Sequence, residues 1–235
     1  MPDFSTVSVH WRSDQYRSLA KQDNVYSLFA RDKELRDNPT IDDGTQHAIL
    51  IRLERLARNS YHTRAGLYHW IELTDAGGAL GGDFSYTRAL ADVRSVIRLS
   101  PATTLNTRGV FGTTPSGTLP LQSQFTAGGV DGLRAHSFSQ FRGNQMAMAQ
   151  AEYVVGLWRV RSGWMTGGLH AIGFLDTGTA WSNPDHDWDI EHQHLALDGG
   201  VGLAAAEDGI RVYFAKNLQK PSSSFVTSFR LQRPF

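Results

Sequence analysis

The stretch Phe84-Ser-Tyr-Thr-Arg-Ala-Leu-Ala-Asp-Val-Arg-Ser-Val-Ile-Arg-Leu99 puts all its charges, Arg88, Asp92, Arg94 and Arg98, at even positions. Its odd positions read Ser85, Thr87, Ala89, Ala91, Val93, Ser95, Ile97 and Leu99. Period two is the side-chain alternation of a β-strand, and here it runs well past the ~5–6 residues usual in a globular sheet. The two faces therefore meet different media. In a soluble sandwich the apolar face would pack a core and favour larger side chains. In an outer-membrane barrel it faces lipid while the arginines line a wet lumen.

The same alternation recurs on both sides of this strand. Val7, Val9 and Trp11 alternate with Ser8, His10 and Arg12, and Ile49, Ile51 and Leu53 with Leu50, Arg52 and Glu54. Ala65, Leu67, His69, Ile71 and Leu73 oppose Gly66, Tyr68, Trp70 and Glu72. Further on come Thr103 to Gly112, with Asn106 and Arg108 on one face, and Gln145 to Val155, where Ala147, Ala149, Ala151, Tyr153 and Val155 oppose Glu152. Leu169 to Leu175 opposes His170 and Asp176; Leu195 to Leu203 opposes His194 and Asp198; Ile210, Val212 and Phe214 oppose Arg211 and Tyr213; Phe225 to Phe235 closes the series. The pattern predicts an all-β, antiparallel transmembrane β-barrel of about ten strands, within eight to twelve, as one domain over residues 1–235.

Connections alternate in length. Short ones fall at Arg58 to His62, Ser100 to Thr103, Gly156 to Met165 and Ala206 to Gly209; long ones fall at Ser13 to Gly44, Thr113 to Asn144 and Gly178 to Glu191. Short turns at one rim and long loops at the other is the barrel asymmetry, with the short rim periplasmic. Residues 13–44 read as an irregular or partly helical extracellular loop: Tyr16, Leu19 and Ala20, then Val25, Leu28 and Phe29, have helical spacing, with Ser13 and Asp23 as N-caps and Asn38-Pro39 as a stop. Trp158, Trp164, Trp181 and Trp188 sit at expected strand ends, where interfacial aromatic girdles belong. Gly77 to Gly82 and Gly199-Gly200 follow no phosphate-loop pattern and read as turns and close strand approaches.

Composition narrows the function classes. The chain has 235 residues, 40% hydrophobic and 20% charged, with formal net charge zero, which suits a folded protein and gives no support to a nucleic-acid partner. The absence of cysteine excludes disulfides, thiolate metal sites and cysteine nucleophiles. No segment reaches the ~18 consecutive apolar residues of a membrane-spanning helix. The start, Met1-Pro2-Asp3-Phe4, carries no signal peptide, so an exported chain would have lost it.

The second half carries a resemblance. Gly117-Thr-Leu-Pro120, Phe125, Gly128-Gly129, Leu133-Arg134, Phe141-Arg-Gly-Asn144, Ala151-Glu-Tyr153 and Phe174-Leu-Asp-Thr-Gly178 follow in order, and the chain closes with Arg233-Pro-Phe235. This resembles the barrel domain of the BamA/TamA superfamily, the bacterial surface antigen family of outer-membrane assembly and translocation proteins. The resemblance implies a Gram-negative outer-membrane location and a long loop, here residues 113–144, folded back into the lumen. Its tip, Leu133-Arg134-Ala135-His136, would place Arg134 against Glu152 and Asp176, with Phe174 covering the guanidinium. The family's tip continues with glycine and an aromatic, where this chain has Ala135 and His136; alanine does not readily supply a φ above zero, so the loop is expected to sit differently. The terminal Phe235 resembles the signal by which the barrel assembly machinery recognises its substrates. The family's assembly members carry periplasmic POTRA domains, and this reads as a short variant or fragment without them.

The resemblance implies a non-enzymatic role in membrane-protein insertion or lipid organisation, with outer-membrane lipids and the assembly machinery as partners, a homo-oligomer as an option and no cofactor. Two other readings stand beside it. One is a structural or lipid-interacting barrel without transport activity. The other is a loop-sited hydrolase or metal site built on Asp185 to His194, for which His186, Asp187, His192 and His194 are the candidate ligands, although their spacing matches no closed zinc motif.

Overall fold

A computed structural model describes residues 4–20, 38–59, 62–162, 165–205 and 209–231. Its main element is a ten-stranded sheet in the order β1-β2-β3-β4-β5-β8-β9-β10-β11-β12, with β6 and β7 forming a separate two-stranded ribbon. The strands are β1 Phe4–Tyr16, β2 Gly44–Asn59, β3 His62–Ala76, β4 Tyr86–Ser100, β5 Thr103–Gly117, β6 Phe125–Ala127, β7 Phe141–Gly143, β8 Gln145–Ser162, β9 Met165–Trp181, β10 Ala196–Ala205, β11 Ile210–Asn217 and β12 Val226–Arg230. Every ladder is antiparallel. No helix among the described residues is long and apolar enough to cross a membrane, which says nothing of strands.

The alternation in β4 sorts as the sequence predicts. Val93, Ile97 and Leu99 are exposed on the outside, whereas Asp92 is buried and Arg94 half-buried on the inside. The neighbours follow the same parity: Ile51, Leu53, Ile71, Leu73, Phe111, Tyr153, Leu175, Val201 and Phe214 project outward and are exposed. Exposed aliphatic side chains across adjacent strands are costly in water and favourable in lipid. A strand of 15 residues such as β4 extends about 50 Å, and at a tilt of about 40° it covers about 38 Å along a membrane normal. That exceeds the apolar band of about 25 Å, so strand ends stand in water.

Strand ends are where the sequence misleads. The loop expected from residue 13 begins later, because β1 continues through Ser13–Tyr16, paired to Gly44–His47 of β2. These polar residues lie in the part of the strand that needs no apolar face; residues 21–37, which carry most of the expected helix, are outside the described residues. The loop placed at 113–144 likewise starts after Gly117, since Thr113 to Gly117 extend β5 despite Pro115. The link placed at Gly156 to Met165 is strand as far as Ser162, with a register shift between Gly156 and Trp158. Gly199 and Gly200 lie within β10 and form no turn. Phe174 explains the second of them: a Cβ on Gly200 would lie 2.8 Å from the ring and 2.0 Å from the Phe214 carbonyl oxygen.

Of the four girdle tryptophans, Trp158 is exposed near the end of β8, while Trp181 is buried and meets Trp188 edge-on at 5.3 Å. Trp181 therefore packs beneath the long β9–β10 loop and faces no lipid. Trp164 and Phe235 lie outside the described residues.

The loop between β5 and β8 fills the inside of the sheet. Its stem is the β6–β7 ribbon, where Phe125 is buried under β5 so closely that a Cβ on Gly112 would meet its ring at 2.5 Å. Ala48, Tyr86, Val110, Leu119, Leu133, Met146 and Met148 join Phe125 in one apolar cluster, and Val154, Ile172, Phe174, Tyr213 and Ala215 form a second.

Candidate functional site: the lumen loop and its anchors

Residues 128–140 turn back on themselves mainly through backbone bonds. The Gly129 N–H reaches the carbonyls of Leu133 and His136 at 3.1 and 3.0 Å, and the His136 N–H returns to Leu133 at 3.1 Å. Positive φ values along this stretch fall on Gly128 (120°), Gly129 (88°) and Ser139 (55°). Ala135 is not among the residues with φ above zero, so the strain expected from replacing a glycine there does not arise.

Three successive loop carbonyls are held by side chains from the paired strands β5 and β8 and from β12, four strands beyond β8 in the sheet. Arg230 of β12 donates to the Val130 carbonyl at 3.2 Å, Arg108 of β5 to Asp131 at 2.9 Å, and Gln150 of β8 to Gly132 at 2.8 Å. One tripeptide touching β5, β8 and β12 means that the sheet curls around the loop. Arg108 also donates through Nε and Nη2 to Asp92, which in turn accepts two bonds from Arg94. Arg94 and Asp92 of the opening stretch are thereby tied to the loop. At its shoulder, Asp42 accepts the Leu121 N–H at 2.8 Å and exchanges two bonds with Gln122.

Arg134 sits deepest and is almost fully buried. It forks onto Asp176, Nε and Nη2 each at 2.8 Å, and its Nη1 donates to Glu152 at 2.7 Å. Its planar guanidinium also lies over the Phe174 ring at 4.0 Å and the Tyr213 ring at 4.6 Å from their centroids. Burial alone would lower the guanidinium's pKa, but Asp176 and Glu152 raise it above the ordinary arginine value. Fork geometry, two carboxylates and two aromatic faces are what an arginine can use and a lysine cannot.

Strand parity placed Glu152, Phe174 and Asp176 on the inner face, and the structure brings all three to Arg134. Two further partners were visible only as inward residues of β11: Arg211 donates to Glu152 at 2.8 Å and the Tyr213 hydroxyl to the same carboxylate at 3.0 Å. Their strand lies far from Glu152 in sequence and nothing local marks the contact. The tip's other two residues take different partners. Leu133 is fully buried in the apolar cluster around Phe125, and His136 turns toward β10.

The histidine and carboxylate cluster of the β9–β10 loop is scattered. His186 bonds through Nδ1 to the Thr114 carbonyl at 2.8 Å, His192 bonds to Asp189, and the Asp187 carbonyl accepts from Asn183. Among the described residues no group of three His, Cys, Asp or Glu side chains could hold a metal ion.

A long-stranded antiparallel sheet, apolar outside and curled around an arginine-bearing loop, defines a membrane β-barrel with its own loop in the lumen. The chain belongs to the Omp85 superfamily: the Omp85 superfamily domain matches residues 5–223. This is the superfamily of outer-membrane β-barrels of assembly and translocation, as the BamA/TamA resemblance implied. Among solved structures it is similar to BamA from Haemophilus ducreyi lacking POTRA domains 1-3, with TM-score 0.66 and 14% identity over 97% of this chain and 50% of that one. It is also similar to CdiB from Acinetobacter baumannii, with TM-score 0.57 and 16% identity over 80% of this chain and 33% of that one. The chain thus spans half the length of the first and a third of the second. No curated protein matches it.

Proposed function

We propose that this chain is an outer-membrane barrel that assists the insertion of membrane proteins through the edge of its own sheet. The observation that carries this reading is the pair of end strands. Among the described residues no ladder joins β1 to β12. Val7 and Val9 on β1 are 66% and 67% exposed, against 46% for Leu53 on the neighbouring β2. The inward side of β1 is open too, with His10 and Arg12 exposed. An unpaired edge presents a row of backbone donors and acceptors to any incoming strand. The loop-filled lumen supports the same reading, since it leaves the edge, and not a pore, as the place of exchange.

Outer-membrane lipids are the surrounding partner on this reading, and no cofactor or catalytic group takes part. The test is insertion of a small barrel substrate into liposomes containing the protein. Folded, protease-protected substrate should appear faster than in empty vesicles; equal rates would overturn the proposal. If rates are equal but labelled lipid moves between leaflets, the lipid-organising role replaces it.

A further inference from the structure

A second anchor grips the loop one residue past Arg134. Asp198 on β10 is fully buried, and its Oδ2 accepts the Ala135 N–H at 2.7 Å and a bond from His136 Nδ1 at 3.0 Å. On the other side of the ring, His136 Nε2 lies 3.2 Å from Asn217 Nδ2 on β11. The remaining neighbour is the Phe141 ring of the loop's own stem, at 5.0 Å. Asp176 stands beside Asp198 in the β9–β10 ladder but is taken by Arg134.

The orientation of the Asn217 amide follows from its far end. Asn217 Oδ1 accepts the backbone N–H groups of Gln219 and Lys220 at 2.9 and 3.1 Å. A backbone N–H can only donate, so the oxygen is committed to the turn and the amide nitrogen faces the ring. That nitrogen is itself only a donor, so Nε2 must offer its lone pair. The proton of the imidazole is then on Nδ1, pointing at Asp198. Each donor in the line meets one acceptor.

We propose that Asn217 fixes His136 as the Nδ1–H tautomer, and that the Asn217–His136–Asp198 line is a latch by which the β11–β12 turn positions the tip of the lumen loop. Asp198 and Asn217 are positioning residues acting through the loop. A pull on the turn reaches Ala135 through three hydrogen-bonded side chains and no flexible backbone. The latch stands on the loop's geometry and is independent of what the barrel does to client proteins.

The test uses the full chain refolded in detergent micelles, with heat-modifiable gel migration as the check on folding. Nitrogen-15 NMR of labelled histidine should show His136 protonated at Nδ1 and bare at Nε2. Asn217→Asp, which is nearly isosteric but places an acceptor opposite Nε2, should put a proton on Nε2. A wild-type ring protonated at Nε2, or a pattern unchanged in Asn217→Asp, would overturn the latch. Amide exchange at Ala135 supplies the second readout. His136→Phe, which keeps a ring but no polar atoms, should speed it about tenfold or more, the factor expected for losing support to a charge-assisted hydrogen bond. His136→Gln restores one donor and one acceptor and should recover most of the protection. Equal exchange in the two variants would also overturn it.

Discussion

Glu152 is the residue on which the interior balances. It receives Arg134, Arg211 and the Tyr213 hydroxyl within one buried site. Replacing it with glutamine leaves two buried guanidiniums short of a counter-charge, a loss of about 3–5 kcal/mol for a well-buried pair. Denaturant unfolding of the micelle-bound protein, followed by tryptophan fluorescence, should show that loss for Glu152→Gln and a smaller one for Glu152→Asp. His192 makes a different case, on the open surface. Its hydrogen bond to the Asp189 carboxylate raises its pKa above the ordinary histidine value. A raised folded pKa means the contact is fully present below about 6.5, the ordinary value, and is lost as pH rises through the raised one. An NMR titration should find His192 titrating above that ordinary value, and Asp189→Asn should return it there.

Among the elements, β5 shows how loop and wall are fitted. Gly112 is the gap into which Phe125 packs, and the Arg88 guanidinium covers the same ring at 4.3 Å. Gly112→Val would push the ring out of its place at a cost of about 1–3 kcal/mol, the usual range for overpacking, and should lower the temperature at which the gel-shifted folded band disappears. The faces of the strands were legible in the sequence because lipid and lumen impose opposite chemistries at every second residue. Their ends were not, because β1 and β5 continue past the membrane through exposed residues such as Ser13, Gln15 and Ser116, where water bathes the strand and no alternation is imposed. The site was legible to the same degree. Glu152 and Asp176 could be placed on the inner wall, whereas Asp198 and Asn217 become partners of His136 only through the curl of the sheet.

At the scale of the whole molecule, stability is uneven. The middle strands are paired on both sides and pinned to the loop by Arg108, Gln150 and Asp176, while β1 and β12 have one neighbour each among the described residues. Hydrogen exchange should therefore be fastest in β1 and β12 and slowest in β5, β8 and β9. Uniform protection across all ten strands of the sheet would mean that the edges are sealed, and with them the proposed route for a client strand.

Asp176 and Asp198 stand directly opposite each other in the β9–β10 ladder. Like charges at facing positions repel, and a sheet normally avoids them. Here the loop supplies donors to each carboxylate, Arg134 to both oxygens of Asp176 and Ala135 and His136 to Oδ2 of Asp198. Before the loop arrives, the wall opposes its own register; afterwards, the same pair rewards it. The pairing of β9 with β10 at this point therefore leans on the loop, and a chain whose loop has gone astray carries two facing carboxylates stripped of those donors.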